Sequence, residues 1–71
     1  MEISARNQIR GTVTEVQLGD VTAEVTVDIG NGQSVVSVIT RSSVERLRIQ
    51  TGDQVVAIIK STDVFIGKET A

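Results

Sequence analysis

Hydrogen-bond donors cluster at three places along this 71-residue sequence, each next to a run of β-branched residues. In chain order these donors are Ser4, Arg6, Asn7, Thr40, Arg41, Ser42, Ser43, Lys60, Ser61 and Thr62. Arginine supplies a rigid fork of N–H groups, lysine a compact ammonium, and serine or threonine a rotatable hydroxyl. Such a set, rich in donors and in positive charge, suits the binding of an oxyanion.

Structural roles for the same side chains remain open at this point. Ser42 could cap a helix, Arg6 could pair with a surface carboxylate, and Lys60 could protect the end of an edge strand. On residue types alone, these roles are about twice as common as ligand binding, since short motifs match by chance.

The first half of the chain predicts three strands in a meander. Apolar and polar residues alternate from Val21 to Ile29, which is the pattern of a half-buried strand. A strand over Asn7–Leu18 changes its apolar phase near Thr14 and Glu15, which predicts a β-bulge there. Turns at Gly19–Asp20 and Gly30–Gly32 supply residues that tolerate positive φ, and strand three covers Ser34–Thr40.

The second half predicts a short helix and two more strands. Ser42 and Glu45 have the spacing of a capping box, and Val44 and Leu47 would share the buried face of the helix. Thr51–Asp53 is expected to end the helix. The run Val55–Lys60 is apolar on both faces, which predicts an interior or interfacial strand. A fifth strand is expected over Asp63–Ile66.

Together these elements predict an all-β fold, a small five-stranded OB-type Greek-key barrel with a short helix between strands three and four. An SH3-like barrel is the competing fold, and the position of the helix favours the OB type. We expect a single domain over residues 1–71, with no linker or low-complexity segment.

Composition excludes several classes of function. Without His or Cys, neither a zinc site nor a usual hydrolytic triad can be assembled, so we expect no enzyme and no directly coordinated metal. With a net charge of −2 and one aromatic residue, Phe65, the chain lacks the basic groove and stacking platforms of a nucleic-acid-binding OB module. Composition thus leaves the polar clusters at the strand ends as candidate sites, with their ligand-binding and structural roles both open.

Location and assembly follow from similar reasoning. No apolar run approaches the ~20 residues that span a bilayer, and the start MEISARN lacks the features of a secretory signal. We therefore expect a cytoplasmic protein with no membrane partner. A domain of this size has a marginal core and usually needs reinforcement; with no disulfide or metal, association into a homo-oligomer is the expected source.

The chain also resembles a known family, the Mop or molbindin domains. SARNQIRGTV closely matches the opening motif of that family, and ITRSSVERLRIQTGDQVVAIIKSTDVFIG, residues 39–67, resembles its second half. The resemblance covers nearly the whole chain. It implies binding of molybdate, and usually tungstate, with no organic cofactor, for molybdenum storage or homeostasis, in a hexamer built as three dimers with anions held between subunits.

Carried over by position, the resemblance implies six anion donors: Ser4, Arg6, Thr40, Ser43, Lys60 and Ser61. Asn7 is expected to brace the loop around them and Ser42 to cap the helix. We expect Ser4 and Arg6 to come from one subunit and the other four donors from its neighbour. A structural assembly barrel and a single-strand nucleic-acid-binding module remain the alternative functions.

Overall fold

The computed structural model describes residues 1–70 and contains one curled antiparallel sheet with a short helix. The elements are β1 (Asn7–Leu18), β2 (Thr22–Gly30), β3 (Gln33–Thr40), α1 (Arg41–Leu47), β4 (Gln54–Ile59) and a 3₁₀ turn (Ser61–Asp63). The strand order is β3-β2-β1-β4. No helix within residues 1–70 has the length and apolar character needed to cross a membrane. The all-β class is confirmed.

Strand β1 is long because it pairs with two neighbouring strands. Its first half pairs with β4 and its second half with β2, and Thr12 faces partners on both strands, Gln54 and Asp28. The register of the β1–β2 ladder shifts between Val13 and Glu15, which confirms the predicted bulge. A bulge bends its strand and increases the local twist. The bend lets one strand follow both halves of the curled sheet.

The core lies on the inner face of this sheet and is small. Alternate residues of β2 (Ala23, Val25 and Val27) are buried together with Val13 of β1 and Val44 of α1. The predicted alternation is therefore confirmed for the middle of β2. Val21, the first residue of the predicted alternation, is not part of the core, since it precedes the strand and is 73% exposed.

The two hairpin turns differ in backbone conformation. Gly30, Asn31 and Gly32 all have positive φ, as the turn between β2 and β3 was expected to require. The turn at Gly19 and Asp20 needs no positive φ, and it closes through a hydrogen bond from the Gly19 N–H to the Thr22 carbonyl, 2.8 Å long.

Helix α1 begins earlier than the capping box predicted. Its N-cap is Thr40, whose hydroxyl oxygen accepts a hydrogen bond from the Ser43 N–H at 3.1 Å. The prediction that Ser42 caps the helix was therefore wrong: Thr40 already has the extended backbone of an N-cap at the end of β3. Glu45 lies near Arg41 instead, with 3.7 Å between Oε2 and Nε.

The C-terminal end of α1 is closed by paired backbone bonds. Arg48 adopts left-handed φ and donates to the Glu45 carbonyl, while Ile49 donates to the Val44 carbonyl at 3.0 Å. These are the two bonds of a Schellman motif, and the usual apolar contact accompanies them because Ile49 packs on the core beside Val44. Leu47, predicted to share the buried face with Val44, is 62% exposed.

Strand β4 is an edge strand and not an interior one. It pairs with β1 alone, and its residues are half-buried or exposed. The inner faces of β2, β3 and β4 leave an open apolar trough of about 420 Å³, lined by valine and isoleucine side chains from the three strands and by Leu47 and Ile49 near α1. Two-sided burial of β4 therefore requires something beyond the described chain.

The fifth strand predicted over Asp63–Ile66 does not form in this chain. Asp63 instead closes the 3₁₀ turn by donating its N–H to the Lys60 carbonyl at 2.9 Å. The residues after it are extended or irregular and unpaired within residues 1–70, with Phe65 93% and Ile66 90% exposed. A β-pattern in sequence needs a neighbouring strand edge to become a strand, and within residues 1–70 this segment pairs with neither edge of the sheet.

Replacing Gly11 with alanine is expected to destabilise the fold. A Cβ at this position would lie 2.5 Å from the Asp28 carbonyl oxygen and 2.6 Å from Val27 Cγ1, where β1 bends against β2. Overpacking of this kind costs about 1–3 kcal/mol of unfolding free energy, which urea denaturation measures. Gly67→Ala is the matched control, because no atom lies within 4 Å of the added Cβ; equal unfolding midpoints for the two variants would contradict the prediction.

Candidate functional site

Pairing between β1 and β4 brings two of the three donor clusters together. The two strands are antiparallel, and their outermost pair is Asn7 with Ile59. The residues just before β1 and just after β4 therefore leave the sheet side by side. They form a cleft of about 440 Å³, lined by Ile3, Ser4, Ala5, Arg6, Ile58, Lys60, Ser61 and Thr62. We call this the β1–β4 cleft.

The chemistry of the β1–β4 cleft is that of an anion site. Arg6 and Lys60 bring two positive charges, and Ser4, Ser61 and Thr62 bring hydroxyls. Among the described residues, no carboxylate lines it. Ile3 and Ile58 add apolar surface to the cleft, and in the single chain both remain exposed to solvent.

The segment before β1 reaches the cleft through a bend. The chain bends at Ser4 and Arg6, and the side-chain amide of Gln8 donates from Nε2 to the Ala5 carbonyl at 2.9 Å. Asn7 was expected to brace this loop. Its side chain makes no hydrogen bond within residues 1–70, and it is half-buried at the start of β1. Sequence reasoning missed Gln8, although its spacing of three residues from Ala5 is that of a local side-chain to backbone bond.

The segment after β4 is held by the 3₁₀ turn. Because the Lys60 carbonyl accepts the Asp63 N–H, the chain reverses immediately beyond the strand. Ser61 and Thr62 lie within that turn and face the segment before β1 across the cleft. Lys60 keeps extended backbone and is exposed, so its ammonium can reach a ligand in the cleft.

The third donor cluster, Thr40, Ser42 and Ser43, is compact and rich in hydroxyls. Thr40 Oγ1 lies 2.7 Å from Ser43 Oγ and 3.2 Å from Ser42 Oγ. These two contacts use at most two of the three hydroxyl hydrogens, while the Ser43 N–H fills an acceptor position on Thr40. At least one O–H therefore remains to donate outward. We call these residues the β3–α1 hydroxyl cluster.

Arg41, within the same stretch, has a structural role. Its Nη1 donates to the Gly19 carbonyl at 3.3 Å, and its backbone N–H donates to the Val21 carbonyl at 2.8 Å. Together with the proximity to Glu45, these contacts tie the start of α1 to the turn between β1 and β2. The guanidinium therefore contacts Gly19 and Glu45 within the chain.

The β1–β4 cleft and the β3–α1 hydroxyl cluster lie at opposite ends of the sheet. The cleft adjoins the first residue of β1, whereas Thr40 pairs with Thr22 at the start of β2, beside the last residue of β1. At about 3.3 Å per residue the path along β1 is roughly 35 Å, and a single anion cannot span it. The expected grouping of Lys60 and Ser61 with Thr40 was wrong, since in one chain they line the same cleft as Ser4 and Arg6.

Other kinds of site find little support. No group of three or more His, Cys, Asp or Glu residues within the described chain is arranged to hold a metal ion. Among the described residues that line the open trough, Ser37 is the sole one whose side chain carries a polar group. Groups of several donors around one space are found at the β1–β4 cleft and at the β3–α1 hydroxyl cluster.

Comparison with known proteins gives consistent matches over almost the full chain. The family model described as TOBE domain matches residues 3–66. Molybdenum-pterin-binding protein 3 of Clostridium pasteurianum is 50% identical over 66 residues, which are 93% of this chain and 97% of that protein. The chain thus matches a relative of similar length.

Solved structures agree with the sequence matches. A molybdate-binding protein from Sporomusa ovata superposes with a TM-score of 0.89 at 38% identity, covering 96% of this chain and all of that one. The cytoplasmic molybdate-binding protein ModG superposes with a TM-score of 0.87 at 35% identity, covering 92% of this chain and 46% of ModG.

The family model spans residues 3–66, and the relative at 50% identity is matched over nearly its whole length. The chain belongs to the TOBE domain family, among the small molybdenum-pterin-binding proteins of the Mop type.

Proposed function

We propose that this protein binds molybdate, and tungstate as a close analogue, and serves in intracellular molybdenum storage and homeostasis as a binding protein without enzymatic activity. The observation that carries the proposal is the β1–β4 cleft, in which Ser4, Arg6, Lys60 and Ser61 surround one space. Relatives and structural neighbours described as molybdenum-pterin-binding or molybdate-binding support it.

The cleft suits a tetrahedral dianion because such an ion presents only oxygen atoms. Two cations match its charge, and hydroxyl donors can complete its hydrogen bonds, so no coordinate bond to the metal is needed. The absence of His and Cys from the sequence is compatible with this chemistry. Sulfate has the same charge and shape but is smaller, and it would not reach all the donors at once. Phosphate carries a proton near neutral pH, which would oppose a donor.

We propose that the complete site lies between subunits of a homo-oligomer, with the β1–β4 cleft of one chain facing the β3–α1 hydroxyl cluster of another. The two donor groups stand at opposite ends of one chain, and the cleft by itself is open to solvent on one side. The arrangement implied by the family resemblance, a hexamer built as three dimers, provides such facing surfaces.

The apolar surface of the chain supports association with a second copy. The trough between β3 and β4 is open, and Val64, Phe65 and Ile66 are exposed on the same chain. We propose that this segment of one copy enters the trough of another, which completes a five-stranded OB-type barrel. Burial of the exposed aromatic and isoleucine side chains would stabilise the assembly by roughly 1.5–3 kcal/mol each.

The remaining parts of the proposal concern organisation and place in the cell. We propose that residues 1–71 act as one Mop-type unit and that the protein works in the cytoplasm, as ModG is described to do. No nucleic-acid or membrane partner and no organic cofactor is proposed. Phe65, the one aromatic residue, lies on the exposed tail and offers no stacking platform beside the donors.

Isothermal titration tests the proposed function directly. We expect molybdate and tungstate to bind, and sulfate and a short single-stranded oligonucleotide to give no saturable heat at the same concentrations. Oligonucleotide binding without anion binding would favour the nucleic-acid alternative. Absence of all binding by a folded protein would leave the structural barrel as the function.

Arg6→Ala is expected to weaken molybdate binding by about ten- to a hundredfold, because a hydrogen bond to a charged group contributes roughly 1.5–3 kcal/mol. Titration calorimetry measures the dissociation constant. Arg10→Ala is the matched control: it removes the same charge from an exposed position on β1 outside the cleft. Equal affinities for the two folded variants would reassign Arg6 to a surface role.

Mixed oligomers are expected to show which donors share a chain within one site. Arg6→Ala and Ser43→Ala chains, unfolded together in equal amounts and refolded, should recover about a quarter of the wild-type capacity, because one site in four then has both halves intact by random assortment. Mixing Arg6→Ala with Lys60→Ala should recover none, since both residues belong to one half.

The capacity of each mixed assembly is read by titration with molybdate, after mass measurement verifies that subunits have exchanged. Recovery in the Arg6→Ala and Lys60→Ala mixture would show that these residues come from different chains and would contradict the proposed division. No recovery in either verified mixture would contradict a shared site.

A further inference from the structure

We propose that Gln8 is a positioning residue for the anion site, holding the bend that presents Ser4 and Arg6 to the β1–β4 cleft. This inference rests on the proposed function and deepens it. The observation that motivates it is the hydrogen bond from Gln8 Nε2 to the Ala5 carbonyl, 2.9 Å long.

The bond matters because the segment before β1 has little else to hold it. The β1–β4 ladder begins with the pair Asn7 and Ile59, so residues 1–6 lie outside it. Within the described residues, the bond from Gln8 is the one hydrogen bond made to the backbone of this segment. Two proposed donors, Ser4 and Arg6, thus stand on a segment that one side chain ties to the sheet.

The position of the acceptor makes the bond specific for orientation. The Ala5 carbonyl belongs to the peptide group that joins Ala5 to Arg6, so fixing this oxygen fixes the plane from which the Arg6 side chain departs. Ser4 is the residue that precedes Ala5, so both donors are direct neighbours of the anchored residue. Ala5 itself is half-buried.

Gln8 does not line the β1–β4 cleft. Its side chain borders a separate depression together with Met1, Arg10 and Val56. It is therefore placed to act on the anion through Ser4 and Arg6 and not by direct contact. Ordering the segment in the free protein reduces the conformational entropy that ligand binding would otherwise have to remove.

The test removes the donor while keeping the shape of the side chain. Gln8→Met is compared with Gln17→Met, a change at another exposed glutamine of β1 whose side chain makes no hydrogen bond within residues 1–70. Titration with molybdate should show an affinity about fivefold weaker for Gln8→Met, the effect of losing one uncharged hydrogen bond. Gln8→Leu, read against Gln17→Leu, is a second uncharged variant that cannot donate.

Restoring a donor distinguishes positioning from general stability. Gln8→Lys keeps an N–H donor on a side chain one atom longer, so hydrogen exchange of residues 1–8 in its ligand-free form should be as slow as in Gln17→Lys. This measurement is made without the anion and does not depend on the attraction between the added charge and molybdate. Hydrogen exchange of residues 1–8 in the ligand-free protein should be faster in Gln8→Met than in Gln17→Met, while the urea unfolding midpoints of the two variants agree.

Two outcomes overturn the inference in distinguishable ways. If the wild-type protein binds molybdate and both removal variants match their Gln17 controls, the positioning role is wrong and the proposed function stands. If the wild-type protein binds no molybdate, the proposed function fails and the inference fails with it.

Discussion

The antiparallel pairing of β1 with β4 is the constraint on which the candidate site depends. Because Asn7 lies opposite Ile59, the chain that enters β1 and the chain that leaves β4 run beside each other. Two segments more than fifty positions apart in sequence thereby become neighbours. Each segment contributes one cation and at least one hydroxyl to the same cleft. A change of register by one residue would turn every side chain of the shifted strand to the other face of the sheet, and it would displace Lys60 and Ser61 along the sheet relative to Ser4 and Arg6.

The same pairing explains which parts of the fold the sequence could predict. The bulge near Glu15 was predicted because the apolar phase changes within β1, and the inward face of β2 because Ala23, Val25 and Val27 alternate with polar residues. Both are local patterns of one strand. The position of β4 at a sheet edge could not be predicted from its own residues. A run that is apolar on both faces has the same pattern in an interior strand and in an edge strand that is covered by another chain.

The donors of the candidate site could likewise be predicted only in part. Residue types and the family resemblance together nominated Arg6 and Lys60, but their grouping on one cleft follows from strand pairing and was predicted wrongly. Thr40 was nominated as a ligand and proves also to be the helix cap, because hydroxyls at the end of a strand can serve either role. Gln8 escaped notice because its bond is formed only when the segment before β1 bends back.

The open trough and the exposed tail leave apolar surface uncovered in the single chain, which favours assembly. A protein with so small a core gains stability if its exposed apolar segment is buried by another copy, and the proposed site gains its missing donors by the same association. Anomalous diffraction at the molybdenum edge, on crystals grown with molybdate, would locate the bound anion. We expect an anomalous peak beside Arg6 and Lys60 of one chain and within hydrogen-bonding distance of Thr40 or Ser43 of another. Peaks located elsewhere, with the β1–β4 cleft free of molybdenum, would contradict the proposed site.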